Sequence, residues 1–129
     1  MRWLLDTNAV IEVLRGNASV VARLRERAPA DVGVSAIVMH ELFFGAYRSA
    51  RVAANVARVD GLRFEVAAFE REDARAAGAV RAALATAGAE IGPYDVLIAG
   101  QALARGVVLV THNVREFGRV EGLKVEDWE

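Results

Sequence analysis

The sequence predicts an α/β sandwich with a central, mostly parallel sheet, and three observations support this. Short apolar runs alternate with stretches of helical periodicity along the chain. One run, Val107-Val108-Leu109-Val110-Thr111, is β-branched at every position but Leu109, in the manner of a strand buried on both faces. Two apolar runs pass directly into polar residues, at Leu5-Asp6-Thr7-Asn8 and at Val110-Thr111-His112-Asn113. In open α/β sheets ligands bind outside the carboxyl ends of the strands.

The elements follow in order. Arg2 to Leu5 reads as a short buried strand. Asp6-Thr7-Asn8 then supplies capping oxygens for a helix over Ala9 to Leu14, stopped by Gly16. A second helix fits Ser19 to Arg27, with Val20, Val21 and Leu24 on one face, and Pro29 and Asp31 break it. Val32 to Ser35 is the second strand. Ala36 to Arg48 is the clearest helix, followed by a helical stretch from about Val52 to Val59 and a short strand at Phe64 to Val66. Arg71 to Ala87 is helical and ends at Gly88. Pro93 opens a helix running from Tyr94 to Arg105, closed by Gly106. After the Val107 to Thr111 strand, Asn113 and Glu116 fall in a loop, and a last strand lies near Leu123 to Val125. No repeat or linker interrupts the pattern, so residues 1–129 are read as one domain.

Composition narrows the function. The chain has no cysteine, which excludes a disulfide framework, a zinc knuckle and a thiol nucleophile. No apolar stretch approaches the roughly 20 residues that span a bilayer. Met1 to Leu5 is too short for a signal peptide, so a cytoplasmic protein without membrane association is expected. The net charge of −1 does not announce a nucleic-acid binder, yet every basic residue other than Lys124 is arginine. Arginine forks suit phosphate. If the acids gather in one pocket, the remaining surface is more basic than the total suggests.

Four acids carry the chemistry. Asp6 ends a strand. Glu41 sits among Ile37, Val38, Phe44 and Gly45 on its helix, where an unpaired carboxylate is costly. Gly45 leaves room for close approach one turn away. Asp95 lies in the first turn of its helix, where the dipole favours its ionised form, and Glu116 follows the Val107 strand. Acids gathered in a cleft either take up protons or hold a cation, and oxygen ligands suit Mg²⁺ or Mn²⁺. The alternatives are simple helix capping by Asp6, Asp95 or Asn113 and an arginine partner for Glu41. His40 reads as a surface or packing residue and His112 as a candidate substrate contact. Val13, Leu14, Phe43 and Tyr47 are the expected exposed apolar excess, which marks a protein interface.

These residues together resemble a known family. Leu4-Leu5-Asp6-Thr7-Asn8, Ser35-Ala36-Ile37 leading to Glu41-Leu42 and Gly45-Ala46, and Ile91-Gly92-Pro93-Tyr94-Asp95 with Ile98-Ala99 are similar to segments of PIN-domain ribonucleases of the VapC toxin type. Thr111-His112-Asn113-Val114-Arg115-Glu116-Phe117 and the tail Gly122 to Trp128 extend the likeness over nearly the whole chain. The resemblance implies a PIN-like three-layer α/β/α sandwich, Mg²⁺ or Mn²⁺ dependence, RNA cleavage and inhibition by a cognate VapB-type antitoxin, with a homodimer expected. By position, Asp6 and Asp95 match the direct metal ligands and Glu41 the third acid, which often works through a water. Many members carry Asp where Asn113 stands, so Glu116 is read as supplying that charge. Thr7, Asn8, Thr111 and Asn113 support the site, and Arg15, Arg48 and Arg115 are the candidate RNA contacts. Relatives with this loop and tail are associated with the anticodon region of initiator tRNA. Three rivals stay open or disfavoured: a DNA-directed nuclease, which usually carries insertions; an Asp-x-Asp phosphatase, for which Asn8 is wrong; and a catalytically silent binding module.

Overall fold

Five short strands form one sheet in the order β3-β2-β1-β4-β5, and every neighbouring pair is parallel. They are β1 (Trp3–Leu5), β2 (Val32–Ser35), β3 (Glu65–Ala67), β4 (Val108–Val110) and β5 (Val125–Glu126) in a computed structural model describing Met1–Glu129. The helices are α1 (Thr7–Arg15), α2 (Ala18–Arg25), α3 (Ala36–Arg48), α4 (Val52–Asp60), α5 (Arg71–Ala87), α6 (Pro93–Arg105) and α7 (Val114–Phe117). The chain winds outward from β1 to β3, then restarts on the other side of β1 with β4 and β5. Parallel crossovers are right-handed, so this reversal puts α1 to α4 on one face and α5 to α7 on the other.

β1 is the middle strand. Trp3 pairs with Val32 on one side and with Val108 on the other, and Leu5 pairs with Val34 and Val110. Leu4, Leu5, Val34 and Leu109 are fully buried, as strands covered on both faces require. The Asp6 amide continues the ladder by donating to the Val110 carbonyl at 3.0 Å. The carboxyl ends of β1 and β4, where the winding reverses, therefore lie side by side.

The sheet is wholly parallel rather than mostly so. Sequence periodicity missed two short elements: a 3-10 turn at Pro29–Asp31 and α7, so Glu116 lies on a one-turn helix and not in a loop. Four residues are too few to show a helical period. The apolar excess also differs. Val13, Leu14 and Phe43 are half-buried against the core, whereas Phe44 and Tyr47 are 57% and 63% exposed. Leu42 and Ala46 take the inward face of α3, and Phe44 falls outward with Tyr47. Nothing packs within 4 Å of where a Cβ on Gly45 would stand, so no close approach uses it.

A close approach does occur at Gly100. A Cβ there would stand 2.4 Å from the Ala77 backbone, because α5 and α6 pack main chain to main chain. Gly100→Ala is expected to destabilise the protein by about 3 kcal/mol, at the upper end of overpacking costs. Urea unfolding measures this, and an unchanged midpoint would contradict so tight a contact.

Candidate functional site

At the reversal of the sheet the structure brings Asp6, Glu41 and Glu116 near enough to Asp95 to act on its charge, in one acidic crevice. Asp6 follows β1, Glu41 lies in the second turn of α3, Asp95 lies in the first turn of α6, and Glu116 lies on α7 after β4. Asp6 is only 4% exposed and caps α1, with Oδ1 accepting from the Ala9 amide at 2.8 Å. Capping and membership of the crevice are thus compatible uses of one carboxylate.

Supporting residues hold the acids in place. The Thr7 hydroxyl donates to Glu41 Oε1 at 2.9 Å, fixing a carboxylate that reaches in from another helix. Asn113 Nδ2 donates to Glu116 Oε2 at 2.8 Å, while the Asn113 amide donates to Thr111 Oγ1 at 2.9 Å. Asn113 begins α7 but makes no side-chain cap, so orienting Glu116 is its visible work. Asn8 is exposed at the mouth of an adjoining cleft.

The electrostatics are those of uncompensated like charge. Burial pushes the Asp6 carboxyl above its ordinary value. The Thr111 hydroxyl and the Ala9 amide pull it back down, and Glu41 and Glu129 push it up again. Asp95 is pushed up to about 6, first by burial and then by Glu41, Asp6 and Glu116. The chain treats another buried acid differently. Asp73, 2% exposed, receives Arg105 at 3.0 Å and the Glu70 amide at 2.8 Å. Burial alone would raise its pKa, but Arg105 and these hydrogen bonds outweigh it and the value is lowered. No arginine or lysine forms an ion pair with any of the four crevice acids. The arginine partner considered for Glu41 is therefore not there.

An oxygen-only set of carboxylates without a protein cation has the chemistry of a hard divalent site, although the only three metal-capable side chains whose ligand atoms lie within 4.8 Å of one another are His112, Asp127 and Glu129 at its rim. If Glu116 supplies charge that Asn113 cannot, Glu116→Gln weakens Mn²⁺ binding and activity more than Asn113→Ala does. Calorimetric Mn²⁺ titration of both variants checks this, and the reverse order would demote Glu116 to a loop-like bystander.

Sequence reading missed part of the rim. His112 Nδ1 lies 3.0 Å from Asp127 Oδ2 and 3.4 Å from Glu129 Oε2, and hydrogen bonding to Asp127 raises the His112 pKa. His112 and Glu129 line the cleft next to the crevice together with Glu12 and Arg15, and Glu129 adds to the negative field at Asp6. The tail was quoted for its likeness, but nothing in its spacing ties it to Asp6. Of the candidate RNA contacts, Arg15 lies at this rim, bonded to Glu12 at 3.0 Å. Arg115 is exposed next to Glu116, and Arg48 is two turns along α3 from Glu41, stacked over Phe44 at 5.5 Å.

On the other side of Glu41, a cavity of about 380 Å³ opens between α1, α3 and α4. Ile11, Leu14, Leu42 and Val59 form its floor, with Arg15 and Arg58 among its lining. The groove thus runs from an apolar floor to one of the crevice acids.

Comparison with known proteins gives a consistent result. The PIN domain family model matches residues 3–123. The chain is 37% identical to the tRNA(fMet)-specific endonuclease VapC of Salmonella typhimurium, over 99% of this chain and 98% of that protein. It is 38% identical to the tRNA(fMet)-specific endonuclease VapC of Shigella flexneri over the same shares. Among solved structures, DNA-bound VapBC from Salmonella typhimurium superposes with a TM-score of 0.95 at 37% identity, covering 100% of this chain and 99% of that one. VapBC2 from Rickettsia felis, bound to a promoter DNA fragment, superposes with a TM-score of 0.91 at 30% identity, covering all of both chains.

Proposed function

The chain belongs to the PIN-domain family, among its VapC ribonucleases, and from that premise we propose that it is a Mg²⁺- or Mn²⁺-dependent endoribonuclease, the toxin of a type II toxin–antitoxin pair. One observation carries the reading. Asp6, Glu41, Asp95 and Glu116 share one crevice without a protein counter-ion, although the same chain provides Arg105 for Asp73. A silent module whose acids only pair with arginines would not be built this way. Residues 1–129 form a single PIN domain in this reading.

Asp6 and Asp95 would hold the ion, with Glu41 and Glu116 completing its surroundings. Bound there, a divalent ion would supply Lewis-acid chemistry for attack by water on the scissile phosphodiester. Glu41, held by Thr7, would accept a proton from the attacking water. Thr111 and Asn113 keep Asp6 and Glu116 in position, and Asn8 flanks the entrance. Arg15 and Arg115 meet the RNA backbone at the rim, and Arg48 meets it farther out along α3. Unpaired segments are the fitting substrates, because their phosphates can enter a cleft. The names of the Salmonella and Shigella relatives make an initiator tRNA the first substrate to test.

The 380 Å³ groove is the seat for the cognate VapB-type antitoxin. An apolar segment would cover Ile11, Leu14 and Leu42 while a basic side chain reaches Glu41. Phe44, Tyr47 and Val52, exposed beyond the groove, are the face for a homodimer. No helix is long and apolar enough to cross a membrane, and a cytoplasmic location suits an RNA substrate.

The test is cleavage-site mapping of total RNA with purified protein and Mn²⁺, with EDTA and single-stranded DNA as controls. Discrete RNA cuts that vanish in EDTA are expected. Intact RNA at micromolar enzyme would overturn the reading.

A further inference from the structure

His40 and Tyr94 are each one residue from a crevice acid, Glu41 and Asp95, on two different helices. Where α3 meets the start of α6 their rings come together, with centroids 5.1 Å apart and planes tilted by 55°. Both are exposed, Tyr94 by 46%, so neither ring serves the core. The pair is tied to the crevice because α3 and α6 pack together there and each ring is the sequence neighbour of one crevice acid.

Resting on the nuclease reading, we propose that His40 and Tyr94 form the stacking site for one unpaired base beside the scissile phosphate. Every base has a π-face, and stacking on an aromatic side chain is the general means of holding single-stranded nucleic acid. A duplex offers no free base face, so this pair selects loops and unpaired ends over helices. The ring nitrogens of His40 also suit the polar edge of a base, while Tyr94 contributes its ring face. A purely apolar protein partner is better met by Phe44, Tyr47 and Val52, farther from the acids.

Binding of unfractionated tRNA in the Asp6→Asn background, followed by fluorescence anisotropy, separates binding from turnover. Cleavage by the corresponding active proteins runs in parallel. Tyr94→Ala is expected to weaken binding and raise KM about tenfold, with kcat and the Mn²⁺ titration midpoint unchanged. Tyr94→Phe keeps the ring face and stays near wild type, and His40→Ala loses a few-fold. A duplex oligonucleotide should bind Tyr94→Ala and its parent equally.

Unchanged tRNA affinity in Tyr94→Ala, with wild-type cleavage intact, overturns the stacking site alone. Tighter tRNA binding by the parent than by Tyr94→Ala, without cleavage by the wild type, keeps the stacking site and overturns the nuclease. A drop in kcat together with a shifted Mn²⁺ midpoint would make Tyr94 a support of the acids instead. Dissociation of a dimer by Tyr94→Ala, with KM unmoved, would give the surface to a second copy of the chain.

Discussion

Asp6→Asn is expected to reduce RNA cleavage about a thousandfold or more while leaving the metal-free protein as stable as before, or more so. Metal ions supply several kcal/mol of charge stabilisation in such reactions, and each 1.36 kcal/mol is a factor of ten in rate. Losing a buried ligand removes most of that advantage. The fold should survive because asparagine is as good a helix N-cap as aspartate, so the bond to the Ala9 amide persists. The carboxyl of Asp6 is held above its ordinary pKa by burial, and its ionisation at neutral pH costs stability. Removing that charge relieves the cost. Single-turnover cleavage with Mg²⁺ and melting in EDTA check the two halves. Wild-type cleavage by Asp6→Asn would end the metal-site reading.

Asp95 makes the second large effect, one that changes sign with metal. Its carboxyl titrates near 6 in the folded protein against an ordinary 3.8, raised by burial, Glu41, Asp6 and Glu116. Between those values the folded state binds more protons than the unfolded chain, so metal-free stability falls as pH rises from about 4 to about 6. Below 3.8 the contribution of this group is fully present, and above 6 it is gone. The coupled charges share the effect, which for Asp95 is on the order of 1–2 kcal/mol. Asp95→Asn should therefore raise the EDTA melting temperature at pH 7.5 and flatten its dependence on pH. With millimolar Mn²⁺ the order reverses: the wild type gains stability by mass action, and Asp95→Asn gains little. The Mn²⁺ increment should also shrink below pH 6, where a proton competes for the site. Melting curves that ignore both pH and Mn²⁺ would contradict the coupling.

Much of this architecture is legible in the residues. The β-branched Val107 to Thr111 run and the capped helix after Asp6 announce a buried parallel sheet, and α3 and α5 are bounded as their breakers suggest. The acids stand out for a physical reason: Glu41 interrupts an apolar stripe and Asp6 ends an apolar strand. Pattern alone could not reach what depends on distant pairing. The Thr7–Glu41 bond joins α1 to α3, and Glu129 acts on Asp6 only because the tail folds back beside His112. Nor could it phase α3 correctly to one residue, which is why Phe44 took the exposed place expected of Phe43. α7 is too short to carry a period, so Asn113 and Glu116 looked like loop residues.

The register of β1 has a kinetic consequence. Trp3 lies against Val108, and the next strand outward, β5, pairs Val125 with Leu109. Pairing so distant in sequence closes a large loop before it is rewarded, and such contacts form late. During synthesis the segment bearing Asp6 leaves the ribosome before those bearing Glu116 and Glu129. Helices α1 to α4 can be collapsing while the strand that completes the crevice is still being made. A chain interrupted between α6 and β4 would hold Asp6, Glu41 and Asp95 without Glu116, and so would lack the complete charge cluster. Assembly of the acidic cluster therefore waits on the pairing of β4 with β1.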